Sequence, residues 1–290
     1  MIGSHIIKNG RIAEAADAVF PLDDTDVTYG YGCYETLKVR RGVIYFPEFH
    51  EERLLRSADI LGIATIIRPP EVADALRLLV RENAMGDCNI KVMLIGHEGA
   101  MADWYAFMLP ALVAPETAYS EGASCLLFRG ERHFPQAKSL SMLLSTVAFR
   151  EAARQGCWDA LLVNGRGQIT EGTRTNVFYA RSGESFTIYT PPAVDVLEGI
   201  TRRTLIVALA EADISTVERP LELAEAVSGE YSLAVTSTSS KVIPIAMLAA
   251  ASSMAPGLPS EPIRLPLCRE IERVRALYDD YLARWVTRRR

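Results

Sequence analysis

The order of strand-like and helix-like segments along the chain is the strongest constraint on its fold. Short apolar runs with the two-residue period of β-strands are mixed with amphipathic helices, and the two types do not alternate regularly. Because a doubly wound sheet requires regular strand–helix–strand alternation, this mixture predicts an α+β fold. One helix is predicted to begin at Pro47 and to run through about Leu61, where Gly62 stops it. The helical spacing of Leu140, Leu143, Leu144, Val147 and Ala148 predicts another helix.

The length of the chain predicts two domains. With 290 residues, it reaches the size at which a single hydrophobic core stops growing. A segment around Leu109–Glu121 contains prolines and little periodicity, so we place the connection there. We expect a small N-terminal α+β domain over residues 1–115, a linker over residues 116–125 and a larger C-terminal domain over residues 126–290. The proline-rich stretch Ala249–Pro262 is predicted to be a loop before the last helix.

Composition and charge argue against several classes of protein. Apolar residues make up 49% and charged residues 23%, which is typical of a globular protein, and the net charge of -5 does not favour binding to nucleic acids or anionic membranes. No apolar segment is long enough to span a bilayer, and the N-terminus lacks a signal-peptide pattern. Five dispersed cysteines without metal-ligand spacing indicate reduced thiols, a cytoplasmic protein and no metal site.

Chemistry that requires a primary amine has few candidates, because the chain contains five lysines. They are Lys8, Lys38, Lys91, Lys138 and Lys241. Lys138 directly precedes the apolar helix predicted near Leu140, where its side chain could point inward. A lysine that forms a Schiff base is usually partly desolvated. The alternative is a solvent-facing lysine at a helix start, and position alone favours that alternative.

Three segments are candidates for binding an anion. Helical spacing places Arg53 on the core-facing stripe of its helix, where the guanidinium needs a partner. A phosphate and an acidic neighbour would serve equally well as that partner. The helix that begins at Gly199-Ile200-Thr201 offers free backbone N–H groups, and the hydroxyl run Thr236–Ser240 follows an apolar strand.

A carboxylate also stands at a position suited to chemistry. Glu171 ends a predicted strand and precedes the turn Gly172–Asn176. At such a place it could hold the proton of a pyridinium ring, which makes the ring an electron sink. The alternative is an exposed turn glutamate paired with Arg174, and the segment alone favours that alternative.

Taken in order, these segments resemble the class IV aminotransferases, which are fold-type IV pyridoxal-phosphate enzymes. The resemblance covers about Tyr29–Pro244 and rests on many collinear short motifs rather than on a single one. The motifs are Tyr29–Thr36, His50–Leu54, Lys138–Leu140, Gly156–Ala160, Thr170–Phe178, Thr190–Pro192, Gly199–Arg202 and Thr236–Thr238. The resemblance implies a small N-terminal α/β sandwich and a larger mixed-sheet C-terminal domain, with pyridoxal 5'-phosphate between them. It also implies a homodimer that acts on a small-molecule amino donor and a keto-acid acceptor.

The resemblance assigns roles to individual residues. Lys138 would carry the cofactor as a Schiff base and move the proton at Cα, and Glu171 would bind the pyridinium nitrogen. The other cofactor contacts would come from Arg53, Leu197, Ile200, Thr201, Ser237 and Thr238. Tyr34 would face the substrate. Lys91 and His97 are candidates for binding the substrate carboxylate, but the alternative of an ordinary strand-edge or loop residue is favoured for each.

The resemblance leaves the substrate branch open. Cys33–Val39 is most similar to D-amino-acid transaminases and aminodeoxychorismate lyases, and Leu143 replaces a tyrosine of the branched-chain members. However, Leu94–Gly99 lacks the arginine with which the D-amino-acid branch holds the substrate carboxylate. We expect a transaminase that acts on an amino acid or related amine and a 2-keto acid. The alternatives are a lyase that releases pyruvate from aminodeoxychorismate and a non-catalytic binding protein that retains the fold.

Overall fold

The structure is a computed structural model that describes residues 1–181, 186–250 and 257–289. The chain divides into two compact units. The first unit comprises Met1–Val113, Gln136–Met142 and Arg288–Arg290, and the second comprises Ala114–Pro135 and Leu143–Thr287. The mixture of helices and sheets confirms the predicted α+β class.

The first unit is built on a six-stranded antiparallel sheet. Its elements are β1 (Ile2–Lys8), β2 (Arg11–Glu14), α1 (Thr25–Tyr29), β3 (Gly32–Arg40), β4 (Val43–Ile44), α2 (Pro47–Ile60), α3 (Glu71–Glu82), β5 (Cys88–His97) and β6 (Ala100–Leu109). The strand order is β2-β1-β6-β5-β3-β4. Helix α2 packs on β3 and α3 packs on β1, and the apolar core of this unit includes Leu37, Leu54, Leu76 and Leu94.

Alternation along β3 separates a core face from a second face. Cys33, Leu37 and Val39 belong to the core. Because neighbouring side chains of a strand point to opposite faces, Glu35 shares the core face and Tyr34 lies on the other. This places the carboxylate of Glu35 on the face covered by α2.

The extended segment Gln136–Met142 lies beside β3 and therefore belongs to the first unit. The N–H of Tyr34 donates to the C=O of Lys138 (2.9 Å), and the N–H of Leu140 donates to the C=O of Gly32 (2.8 Å). Gly32 permits this close approach, because a Cβ there would lie 2.7 Å from Leu140 Cδ1. Lys138 is thus held in an extended conformation next to a strand.

The second unit is built on a ten-stranded mixed sheet. Its elements are α4 (Glu116–Ser120), β7 (Ala123–Arg129), α5 (Leu143–Arg154), β8 (Asp159–Val163), β9 (Gln168–Gly172), β10 (Asn176–Arg181), β11 (Thr187–Thr190), α6 (Ile200–Ala210), β12 (Ser215–Glu218), β13 (Leu221–Glu222), α7 (Leu223–Val227), β14 (Tyr231–Ser237), β15 (Lys241–Ala250), β16 (Ile263–Arg264) and α8 (Arg269–Thr287). The order is β12-β11-β10-β14-β15-β7-β8-β9-β13, with β16 paired to β15 and β10 also paired to β9. Three pairs are parallel: β11–β12, β15–β7 and β7–β8.

Helix α2 agrees with the sequence prediction, whereas α5 differs from it. Helix α2 begins at Pro47 and ends just before Gly62, whose φ of 69° is the left-handed conformation that glycine tolerates. Helix α5 begins at Leu143, which is 76% exposed, and the predicted apolar stripe is only partly buried. Lys138 is therefore not at a helix start. Across the described part of the chain, no helix combines the length and apolar character needed to cross a bilayer.

Two predicted irregular segments contain regular structure. The predicted linker over residues 116–125 contains α4 and the beginning of β7, because Ala118 and Cys125 are buried in the core of the second unit. Residues 136–142 also belong to the first unit, although they follow a segment of the second unit in the chain. A single domain boundary near residue 115 cannot describe this division. In the predicted loop Ala249–Pro262, the first two residues end β15, and residues 251–256 lie outside the described part of the chain.

Candidate active site

The amine of Lys138 lies over an aromatic ring in the first unit. Its Nζ is 4.4 Å from the centre of the Tyr34 ring, and Lys91 Nζ is 5.1 Å from the centre of the same ring. The side chains of Lys138 and Tyr34 are both half-buried. The electron-rich face of a tyrosine attracts an ammonium group, so this ring holds the Lys138 amine in a defined place. The alternative from the sequence, a lysine that faces the solvent, therefore does not describe Lys138.

Arg53 forms a buried ion pair with Glu35 on the neighbouring strand. Arg53 Nε donates to Glu35 Oε1 and Nη2 donates to Oε2, each at 2.7 Å. His50 Nδ1 is 2.6 Å from Glu35 Oε2. All three side chains are buried. Of the two partners that the sequence allowed for Arg53, the acidic side chain is therefore present. Glu35 binds the edge of the guanidinium formed by Nε and Nη2, so Nη1 takes no part in this pair of hydrogen bonds.

The charges of this cluster follow from its burial and its hydrogen bonds. Burial by itself would raise the pKa of Glu35, but the Arg53 guanidinium and its hydrogen bonds, assisted by His50, outweigh burial and lower it to about 2. Burial lowers the pKa of His50, so that its ring is neutral near pH 7. Because an ionised carboxylate only accepts hydrogen bonds, the His50 proton belongs on Nδ1. Among the described residues, nothing is within hydrogen-bond range of His50 Nε2.

In the second unit, Glu171 is buried at the end of β9. Its Oε2 accepts the N–H of Leu197 at 3.3 Å, and its Oε1 is 3.5 Å from Arg132 Nη1. The alternative of an exposed turn glutamate is therefore wrong, because Glu171 is only 4% exposed. The Arg174 guanidinium stacks 3.7 Å from the centre of the Phe149 ring. A buried carboxylate beside a guanidinium is suited to accept a hydrogen bond from the N–H of a protonated ring nitrogen.

Two residues to which the sequence motifs gave no role, Asn176 and Asp159, hold Leu197 and the turn after Glu171 in place. Asn176 Nδ2 donates to the C=O of Leu197 at 2.8 Å, so Asn176 and Glu171 bind the two polar backbone groups of Leu197. The fully buried Asp159 accepts hydrogen bonds from the hydroxyls of Thr173 and Thr175 and so shapes the turn before Asn176. The hydroxyls of Thr173 and Thr175, two positions apart in the sequence, indicate that a buried acceptor lies beside this turn.

The N-terminus of α6 is suited to bind an anion. Gly199 is its N-cap residue, no side chain among the described residues caps it, and Ile200 and Thr201 are each 4% exposed. The first N–H groups of a helix have no partner within the helix and carry the positive end of its dipole, so a buried start without a cap favours a phosphate. Glycine is required at position 199, because a Cβ would lie 2.0 Å from Asn176 Oδ1.

The hydroxyl run forms the turn between β14 and β15. Within the described residues, the buried Thr236 Oγ1 has no hydrogen-bond partner, which fits a ligand with acceptor oxygens. The hydroxyl of Ser237 instead pairs with that of Ser240 at 2.7 Å and accepts the Ser240 N–H. Ser237 therefore shapes the turn that carries Thr238. The hydroxyl of Tyr119 also holds this turn by donating to the Ser240 C=O at 3.0 Å.

The two candidates for binding a substrate carboxylate differ in their surroundings. His97 lies between two carboxylates, with Asp26 Oδ2 at 3.5 Å from Nδ1 and Asp103 Oδ2 at 3.4 Å from Nε2. Negative neighbours disfavour binding of another carboxylate. The amine of Lys91 shares the Tyr34 ring with Lys138. Of the two candidates, Lys91 is therefore the one that shares a neighbouring side chain with Lys138.

Comparison with known proteins is consistent across sequence and structure. The sequence model of the family Amino-transferase class IV matches residues 32–248. The chain is 27% identical to a putative branched-chain-amino-acid aminotransferase of Methanocaldococcus jannaschii (83% of this chain, 86% of that protein). It is 26% identical to a D-alanine aminotransferase of Bacillus licheniformis (83% and 87%).

A third relative has a different activity in its name. The chain is 30% identical to an aminodeoxychorismate lyase of Bacillus subtilis, over 69% of this chain and 72% of that protein. Among solved structures, the branched-chain aminotransferase of Thermoproteus uzoniensis with norvaline superposes with a TM-score of 0.79. That structure is 21% identical in sequence and covers 96% of this chain and 94% of its own. At this level of identity, it supports the fold.

Proposed function

Because this chain belongs to the class IV aminotransferase family, we propose that it is a pyridoxal-phosphate-dependent transaminase that moves an amino group between an amino acid, or a related amine, and a 2-keto acid. The observation that carries this proposal is the half-buried amine of Lys138, which the Tyr34 ring holds at 4.4 Å. Four other lysines are present in the chain, and Lys138 is the one that lies within the matched motif series beside β3.

Lys138 and Glu171 would divide the proton chemistry. When bound, pyridoxal phosphate supplies an aldehyde for an amine and a ring that accepts electrons from the substrate. Lys138 Nζ would hold the cofactor covalently and, once the amino donor displaces it, would remove the proton from the substrate Cα and return one to the cofactor. Glu171 would hold the proton on the ring nitrogen, supported by the Leu197 N–H and Arg132.

The remaining cofactor contacts come from groups that fit a phosphate and a ring. Arg53 would bind the phosphate beside its ion pair with Glu35, and the backbone N–H groups of Ile200 and Thr201 would bind it at the α6 N-terminus. Thr238 would donate its hydroxyl from the turn that Ser237 shapes. Leu197 would pack on the face of the ring, with its backbone held by Glu171 and Asn176.

The substrate would be recognised by residues of the first unit. Tyr34 would face the substrate, and Lys91 would bind its carboxylate; His97, which lies between Asp26 and Asp103, is the weaker candidate. We further propose a cytoplasmic homodimer that acts on small molecules, with neither nucleic acid nor membrane as partner. A screen of single donors would decide whether the amino donor is a branched-chain amino acid, a D-amino acid or a related amine.

A half-reaction screen tests the proposed function. The purified protein is loaded with pyridoxal phosphate, and single L-amino acids, D-amino acids and simple amines are added without an acceptor. Stoichiometric formation of pyridoxamine phosphate and of the matching keto acid, measured by chromatography, is expected for a true donor. A protein that binds no pyridoxal phosphate would instead be a non-catalytic binding protein with this fold.

The covalent role of Lys138 can be tested separately. Borohydride reduction of the loaded protein, followed by peptide mass spectrometry, is expected to place the cofactor on Lys138. A Lys138→Ala variant is expected to lose reducible cofactor and transamination by at least about 1,000-fold. Lys8→Ala is a matched control, because Lys8 also lies over a tyrosine of this unit, 5.8 Å from the Tyr105 ring centre. Labelling of another lysine would contradict the assignment.

A lyase is the second candidate, because one relative with 30% identity is named an aminodeoxychorismate lyase. The two reactions differ in their need for an acceptor. Transamination requires a keto acid and interconverts two cofactor forms, whereas the lyase releases pyruvate from aminodeoxychorismate without any acceptor. Catalytic pyruvate release in the absence of a keto acid would therefore overturn the transaminase proposal.

A further inference from the structure

The hydroxyl of Ser57 connects helix α2 with the backbone of Lys138. It donates to the C=O of Arg53 at 2.8 Å and accepts the N–H of Lys138 at 3.0 Å. The side chain is completely buried. A hydroxyl has one proton to donate and two lone pairs to accept with, so both bonds are chemically compatible.

The bond to Lys138 distinguishes Ser57 from an ordinary helical serine. Serine hydroxyls inside helices commonly bond to the carbonyl four residues earlier, and the bond to Arg53 is of that kind. The bond to Lys138 instead joins positions 81 residues apart in the chain. It gives a partly buried backbone N–H its partner, and leaving such a group without a partner is unfavourable.

Both polar backbone groups of Lys138 are therefore bound within the first unit. Its N–H is held by Ser57 on α2, and its C=O accepts the N–H of Tyr34 on β3. The helix and the strand together define the position of the Lys138 Cα. Because the amine sits on a flexible four-carbon stem, this backbone position limits where Nζ can reach.

We propose that Ser57 is a positioning residue that sets the place of the Lys138 amine relative to Arg53, and this inference rests on the proposed function. Arg53 and Ser57 are four residues apart on α2, which is about 6 Å along a helix axis. One turn of helix thus carries both the guanidinium proposed to bind the phosphate and the hydroxyl that anchors Lys138. The separation of the two groups is then fixed by helix geometry.

The first measurement is the attachment of pyridoxal phosphate to the apoprotein. In this reaction Lys138 Nζ adds to the aldehyde carbon, and the aldehyde oxygen leaves as water. The rate constant is followed by absorbance, and the site is confirmed by borohydride reduction. Ser57→Ala is expected to slow attachment at least tenfold. Ser57→Cys, which keeps a somewhat larger group with a weak donor and a weak acceptor at this position, is expected to slow it less.

The second measurement is hydrogen exchange at the Lys138 amide in the protein without cofactor. Removal of its acceptor in Ser57→Ala is expected to speed exchange at least tenfold. Ser232→Ala is a matched control, because Ser232 is also buried, donates to the Pro266 C=O at 2.6 Å and accepts the Cys268 N–H at 3.1 Å. It is expected to lose comparable thermal stability without altering attachment or Lys138 exchange.

The outcomes separate the two proposals. If wild-type protein forms no reducible bond at Lys138, the proposed function fails, and the exchange rate still decides whether Ser57 holds the Lys138 backbone. If wild-type protein does form the bond and Ser57→Ala behaves like Ser232→Ala in both measurements, the positioning role of Ser57 is overturned while the proposed function stands.

Discussion

At the scale of single residues, the site depends on which partner each charged group finds. Helical spacing correctly placed Arg53 on the buried face of α2, but nothing local to that helix identified Glu35 as its partner. Glu35 lies on β3, 18 positions earlier, and the two meet because α2 packs on that strand. The resulting pair leaves Glu35 ionised and His50 neutral near neutral pH.

The ionised state of Glu35 predicts a loss of stability in acid. Its pKa is lowered from 4.5 to about 2 by folding, so the folded state is stabilised above the unfolded pKa and loses that stabilisation as pH falls toward 2. The contribution is up to about 3 kcal/mol at neutral pH. In urea unfolding between pH 7 and 3, the free energy of unfolding of the wild type should decrease more steeply below about pH 4.5 than that of Glu35→Gln.

A surface variant provides the control for this measurement. Glu48 pairs with Arg77 at 2.6 Å, but both side chains are more than two-fifths exposed, so Glu48→Gln should change stability by less than about 1 kcal/mol. Glu35→Gln should cost about 3–5 kcal/mol at neutral pH, because it leaves the buried Arg53 without its counter-charge. Equal effects of the two substitutions would contradict the buried ion pair.

At the scale of secondary-structure elements, helix ends decide where backbone groups become available. Strong local signals marked both ends of α2 and the start of α6. The predicted start of α5 near Leu140 is wrong, because the helix begins at Leu143. The apolar residues have helical spacing from Leu140 onward, but the segment around Ser139 pairs with β3 instead. Hydrogen bonds to a neighbouring strand outweighed the local periodicity there.

The start of α6 predicts a specific intolerance to a side chain at position 199. In Gly199→Ala the new Cβ would collide with Asn176 Oδ1, whose amide is already bound to Leu197. We expect a destabilisation of about 1–3 kcal/mol in thermal or urea unfolding, together with weaker binding of pyridoxal phosphate. Gly86→Ala is the control, since an added Cβ there meets nothing within 4 Å. Equal stability of both variants would show that Asn176 moves aside freely.

At the scale of the whole molecule, burial encloses the five thiols, which have no role in the proposed chemistry. All five cysteines are buried free thiols, distributed over both units. Burial raises the pKa of each thiol, which keeps it in the unreactive protonated form. The odd, dispersed set of cysteines noted in the sequence therefore consists of core residues.

This burial predicts the reactivity of the native protein toward thiol reagents. At pH 8, Ellman's reagent should label less than one thiol per chain within minutes, and all five after unfolding in guanidinium. Labelling should follow global unfolding, because each thiolate becomes available only when its core opens. Rapid labelling of one native cysteine, located by mass spectrometry, would show that its surroundings open locally.

The sequence by itself determined the α+β class, the bounds of helices with clear end signals, and the family, because collinear motifs and local periodicity act within short stretches of chain. The tertiary structure decided the partners: Glu35 for Arg53, Ser57 for Lys138, and Asn176 for Leu197. It also placed residues 136–142 in the first unit. These contacts join residues that are 18 to 81 positions apart, and only the packing of helices on strands brings them within hydrogen-bond distance.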